Sequence, residues 1–160
     1  MKKFPIILIL FISGCTLNKN YYTEPTISSI ATIIGSEHMT ERNFLGQYNT
    51  GERYIIRAID GKRINYGFTD NPIKKEIKLT TGKHKILVTA NCYSLGRGSF
   101  YASALIPLNV KNNLKYIIHG KVTDGGFKDK FIDFWINNLE TNETINKPIR
   151  ANFKMPITVY

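Results

Sequence analysis

The sequence predicts an all-β protein, a single antiparallel β-sandwich of about eight or nine short strands preceded by a signal-peptide helix. Three observations carry this reading. β-Branched and aromatic residues recur in short runs with period-two alternation. Turn signals rich in Gly, Asn and Asp separate those runs roughly every ten residues. No later stretch has the period of a long amphipathic helix, which argues against a βαβ architecture. A hydrophobic content of 42% suits one globular domain rather than a disordered chain.

Residues 30–35 form a β-rich run closed by Gly35, and residues 36–46 read as either one helical turn around 40–45 or an open loop. Tyr48, Asn49, Thr50 and Gly51 read as a turn. Residues 53–60 alternate strongly, and Asp60–Gly61 then signals a hairpin, because a type I′ turn needs positive φ at both central residues. Residues 62–66 would return. Asn71–Pro72 breaks the chain, and residues 73–79 put Ile73, Ile77 and Leu79 on one face. In residues 83–93, Ile86, Val88, Ala90 and Cys92 share a face. Residues 94–99 read as a mobile loop. Pro107 marks residues 100–110 as an edge or bulged strand. Lys111, Asn112 and Asn113 turn into residues 114–123, and Asp124, Gly125 and Gly126 turn again. In residues 130–137, Ile132, Phe134 and Ile136 point inward. A polar turn at 138–144 leads to a last strand, or to a segment lying across the sheets.

The N-terminus has its own chemistry. Lys2 and Lys3 form a basic start, followed by an apolar run over residues 4–12. That run falls well short of the roughly 20 residues a spanning helix needs. It matches the apolar region of a signal peptide, about 7–15 residues long. Ile12–Ser13–Gly14–Cys15 resembles the bacterial lipobox. The resemblance implies a diacylglyceryl group on the Cys15 thiol, cleavage between Gly14 and Cys15, and acylation of the new amino terminus. Residues 1–14 are then the leader, 15–26 a lipidated tether and 27–160 the sandwich domain. Thr16 replaces the Asp that marks inner-membrane retention in Gram-negative lipoproteins, which implies an outer-membrane anchor facing the periplasm.

The chain carries 22 basic and 12 acidic residues, a formal +10, and loss of Lys2 and Lys3 lowers it to +8. Such a balance suits an anionic envelope polymer or an acidic protein, and the compartment argues against nucleic acid. The plainer reading is that scattered lysines keep an anchored domain soluble. Cys92 is the second of two cysteines, and lipidation of Cys15 leaves it without an intramolecular partner. It reads as a small core residue, or else as a free thiol.

Little else carries chemistry. His38, His84 and His119 are scattered outside any metal-ligand spacing, and no metal or cofactor is expected. Neither G-x-S-x-G nor S-x-x-K occurs. Gly96–Arg97–Gly98–Ser99 lacks the lysine of a phosphate loop and reads as a hairpin loop. Asp124, Asp129 and Asp133 read as turn and strand-edge charges. The single Trp135 faces outward if its neighbours face the core, unless both faces are covered or the phase is inverted. Trp135 and Arg97 are the candidate binding residues.

Ala58–Ile59–Asp60–Gly61–Lys62, followed by Leu79–Thr80–Thr81–Gly82–Lys83–His84–Lys85–Ile86, resembles PEGA-type and transthyretin-like envelope sandwiches, without the Pro-Glu-Gly-Ala tetrapeptide. The resemblance implies fold, not activity. The expectation is a lipid-anchored, non-catalytic binding or structural module of the cell envelope. The alternatives are an accessory lipoprotein of an assembly or secretion machine, an inhibitor of a host enzyme such as lysozyme, and an enzyme. The inhibitor reading suffers from like charge on both partners.

Overall fold

The computed structural model describes residues 20–26, 30–39, 50–94, 98–124 and 130–154. The leader 1–14, Cys15, Arg97 and the turn expected around 124–126 lie wholly or partly outside the described residues. Ten strands follow in order: β1 (Ala31–Ile34), β2 (Ser36–Met39), β3 (Thr50–Ile59), β4 (Lys62–Arg63), β5 (Ile77–Leu79), β6 (Gly82–Ser94), β7 (Gly98–Val110), β8 (Lys115–Asp124), β9 (Lys130–Asn138) and β10 (Ile149–Asn152). They build two sheets, ordered β10-β9-β8-β1-β5 and β2-β3-β6-β7, with β4 beside β3. The all-β sandwich therefore stands. One neighbour pair within it is parallel: β1 runs along β8, with Ile33 opposite Tyr116.

Alternation builds the core. Ile86, Val88, Ala90 and Cys92 are buried from β6, and Ile132, Phe134 and Ile136 from β9. β3 departs from strict alternation. Its register with β6 shifts between Ile56 and Ala58, so Arg57 bulges out and both Ile56 and Ile59 reach the core. The hairpin after β3 has the expected geometry, with φ of 51° at Asp60 and 77° at Gly61. Pro107 sits on β7, an edge strand, where its missing N–H costs no ladder bond.

Five expectations shift. The strand expected over 73–79 shrinks to β5, because Asn71 caps a turn there. Its Oδ1 accepts from Ile73 N at 3.0 Å, and its carbonyl accepts from Lys74 and Lys75. The return strand of the Asp60 hairpin is only Lys62–Arg63. Ser36–Met39 is a strand paired with β3, while the residues 40–45 expected as a helical turn or open loop lie outside the described residues, and Thr50 and Gly51 begin β3 instead of ending a turn. The last stretch of the expected tether is docked: Tyr22 N donates to Arg63 O at 2.8 Å, Arg63 N to Asn20 O at 2.9 Å, and Tyr22 Oη to Lys78 O at 2.8 Å.

Tyr54 joins the sheets. Its ring meets Phe134 edge-on, with centroids 6.2 Å apart at 86°. Gly120, opposite Phe134 in the β8–β9 register, makes room for that ring. Gly35 turns the chain from one sheet to the other, and a Cβ there would overlap the Tyr54 carbonyl oxygen and sit 3.2 Å from the Ile73 carbonyl oxygen. These neighbours are backbone and cannot rotate away. Gly35→Ala is expected to cost about 3 kcal/mol in a denaturant titration, the upper end for an overpacked site. Gly67→Ala is the control. Its Cβ would find Asp70 side-chain atoms no nearer than 3.5 Å, and it should stay within about 0.5 kcal/mol of wild type.

Candidate binding face

Because β9 buries Ile132, Phe134 and Ile136 completely, Phe131, Asp133 and Trp135 lie on the outer face of the sheet. On β8 the same rule turns His119 and Lys121 outward. Register then decides neighbours: Trp135 stands opposite His119, Asp133 opposite Lys121, and Arg150 of β10 opposite Asp133.

The Trp135 and His119 rings stack, with centroids 5.9 Å apart and planes 21° apart. Arg150 grips both oxygens of Asp133, at 3.0 and 3.1 Å, and its guanidinium carbon lies 3.6 Å from the Phe131 ring centre. The Arg150 hydrogen bond holds the Asp133 carboxyl below its usual range. The result is an aromatic row from Phe131 to Trp135, fixed at one end by an ion pair and flanked by the exposed Lys121. Trp135 itself is half-buried, neither free in solvent nor covered. Asn137, two residues along from Trp135, departs from the alternation and is buried. The turn after β9 closes over it, and its amide donates to Asn142 Oδ1 at 2.9 Å.

Burial holds the His119 imidazole below its ordinary 6.5. Protonation therefore favours the unfolded chain, so stability is lost as pH falls through the unfolded value towards the folded one. Trp135 is the sole tryptophan. Its emission is expected to titrate with a midpoint below 6.5, and His119→Gln should flatten the curve. A flat wild-type trace, or a midpoint above 6.5, would contradict the stack.

The residues that carry the family resemblance meet at the opposite sheet. His84 Nδ1 lies 2.7 Å from Asp60 Oδ2, Lys85 N donates to Asp60 Oδ1 at 2.8 Å, and His84 Nε2 lies 3.0 Å from the Thr80 carbonyl oxygen. Thr80, His84 and Asp60 stand in the order of a hydrolytic triad. The Thr80 hydroxyl is farther from the ring than its carbonyl, at 3.4 Å, and the His84 side chain is only 10% exposed. The ring spends its second nitrogen closing the 80–84 turn, so the trio clamps a hairpin to a strand. Burial opposes ionisation of Asp60, but the Lys85 N–H and His84 outweigh it and hold the carboxyl below its usual value.

A third feature had no sequence signal. Gly67–Asp70 forms a turn pinned by Gly67 N to Asp70 Oδ2 at 2.9 Å and by Lys75 Nζ to the same oxygen at 2.7 Å. It holds Phe68 fully in solvent, at 107% exposure. Beside it, Glu37, Arg53, Ile55 and residues 69–73 line a shallow cleft of about 350 Å3.

Cys92 is a buried free cysteine, and burial pushes its thiol up to about 12, so it is an inert core residue. Among the described residues no cluster of His, Cys, Asp or Glu could hold a metal ion, and no helix is long and apolar enough to cross a membrane. Comparison with protein-family models, with curated proteins and with solved structures finds no match.

Proposed function

We propose that this chain is a lipid-anchored, non-catalytic protein of the cell envelope that binds an anionic envelope polymer through the outer face of β8 and β9. The observation that supports this is the ordered aromatic row ending in the Trp135–His119 stack, with the exposed Lys121 beside it. Flat, half-exposed rings suit the faces of sugar rings, and flanking cations suit phosphate or carboxylate groups. The lipobox-like Cys15 supplies the membrane partner, and the absent retention mark at Thr16 favours the outer membrane facing the periplasm. No cofactor is needed for this role.

The test is a titration of the protein with peptidoglycan fragments and with lipopolysaccharide, read by Trp135 emission. Trp135→Ala, read by co-sedimentation, is expected to weaken binding about tenfold, the size of one truncated anchor residue. Equal binding by the variant, or none by the wild type, sinks the polymer reading.

A second reading is an accessory lipoprotein of an envelope machine with a protein partner. Phe68 favours it, because a pinned turn presenting a bare aromatic ring is a ready anchor for an apolar pocket. Crosslinking in cells separates the two: a stoichiometric protein partner lost in Phe68→Ser supports the machine reading.

A further inference from the structure

We propose that the end of the sandwich where the chain enters at Asn20 is a membrane-contact surface for anionic phospholipid headgroups, in the same bilayer that carries the lipid on Cys15. This rests on the anchoring reading above.

Strand direction sets the geometry. Tyr21 pairs in parallel with Arg63, so Asn20 lies at the Lys62 end of β4, beside the Asp60–Gly61 turn. The Thr80–Gly82 turn, which links the two sheets, lies at that same end, because Ile59 pairs with Ile86 and Gly82 with Val110. So do the turn at 111–113 and the one after Asn138, because Asn138 pairs with Tyr116 and Leu139 N donates to Lys115 O.

Six cations cluster there: Lys62, Arg63, Lys83, Lys85, Lys111 and Lys115, all exposed. Among the described residues Asp60, Glu140 and Glu143 oppose them, Glu24 lies within electrostatic reach of Tyr22 as Asp60 does, and Asp60 is already engaged by His84. The two sheets alternate core and solvent along their length. At this end they gather positive charge instead.

Tether length makes the charge matter. Four residues lie between Cys15 and Asn20, and the five steps from one to the other reach about 18 Å at full stretch. A domain of this size has a radius of gyration of about 14 Å, so it is roughly twice as broad as that reach. The tether thus lets the lysines come within about a Debye length of 8 Å, where the headgroup field acts. Each cation near an anionic leaflet strengthens attachment about fivefold. Headgroup contact would stand the strands upright on the bilayer and leave the Trp135 face open to the side.

The experiment uses the mature lipidated protein, with the mass of its Cys15 lipid measured first. It is reconstituted in vesicles of phosphatidylcholine alone, or with about a third phosphatidylglycerol, and its lysines are acetylated. On anionic vesicles, labelling of Lys62, Lys83, Lys85 and Lys111 is expected to slow several-fold. Lys121 and Lys154, at the far end, should keep their rates, and high salt should erase the difference. Uniform labelling, or protection at Lys121 instead, overturns the proposal while leaving the anchor intact. A mass without lipid on Cys15 overturns both readings together.

Discussion

Phe134→Ala is expected to lower the stability of the domain by about 3–5 kcal/mol, the usual cost of truncating a buried aromatic ring. Phe134 is 0% exposed and meets Tyr54 of the opposite sheet edge-on. Its loss opens a void between the sheets that local collapse fills poorly. The β8–β9 register runs unbroken from Tyr116 to Asp124, and Gly120 brings no side chain to the gap. Such a loss is a large fraction of the 5–15 kcal/mol that holds an ordinary domain together. Guanidinium titration followed by Trp135 emission reads it directly. Phe131→Ala is the comparison, since Phe131 lies on the outer face under Arg150 and should cost about 1 kcal/mol or less. A larger loss from Phe131→Ala than from Phe134→Ala would mean that β9 faces the other way.

The contrast between those neighbours marks what alternation alone reveals. A period of two identifies which residues of β6 and β9 reach the core, and Asp60–Gly61 identifies its turn, since both signals are local. The bulge at Arg57 is not local. It exists because the β3–β6 ladder shifts by one residue, and only that shift brings Ile56 and Ile59 to one side. The parallel pairing of β1 with β8 joins segments half the chain apart and leaves no mark on either of them. β2 was hidden because Ser36–Met39 is mostly polar; its pairing with β3 makes it a strand.

The candidate binding face was legible to the same depth. Trp135 could be placed outward from its own strand. Its partner His119 depends on the β8–β9 register, and the clamp of Arg150 on Asp133 on that of β10. Two features were readable in part. Asp60 and His84 both belong to the family-like pattern, which suggested turns and strands but not their direct contact. Phe68 carried no signal, because a lone aromatic between Gly67 and Thr69 looks the same whether buried or bare.

Cys15→Ala is expected to change the fate of the chain more than any substitution within the domain. One acyl chain holds a protein to a bilayer only marginally, while two or more make release negligible, since each buried methylene contributes about 0.8 kcal/mol. The variant has no thiol to form the thioether, so it should incorporate no labelled fatty acid and keep residues 1–14. Its apolar run over 4–12 is too short to span a bilayer, so it should wash from membranes at high pH while the wild type stays. Cys92→Ala completes the assignment. Only two cysteines exist, and the Cys92 thiol is buried in the core, so this variant should be labelled like wild type. Label on the Cys15→Ala chain, or a wild-type mass without a diacylglyceryl group, would remove the anchor. The Trp135 face would then belong to a freely diffusing protein.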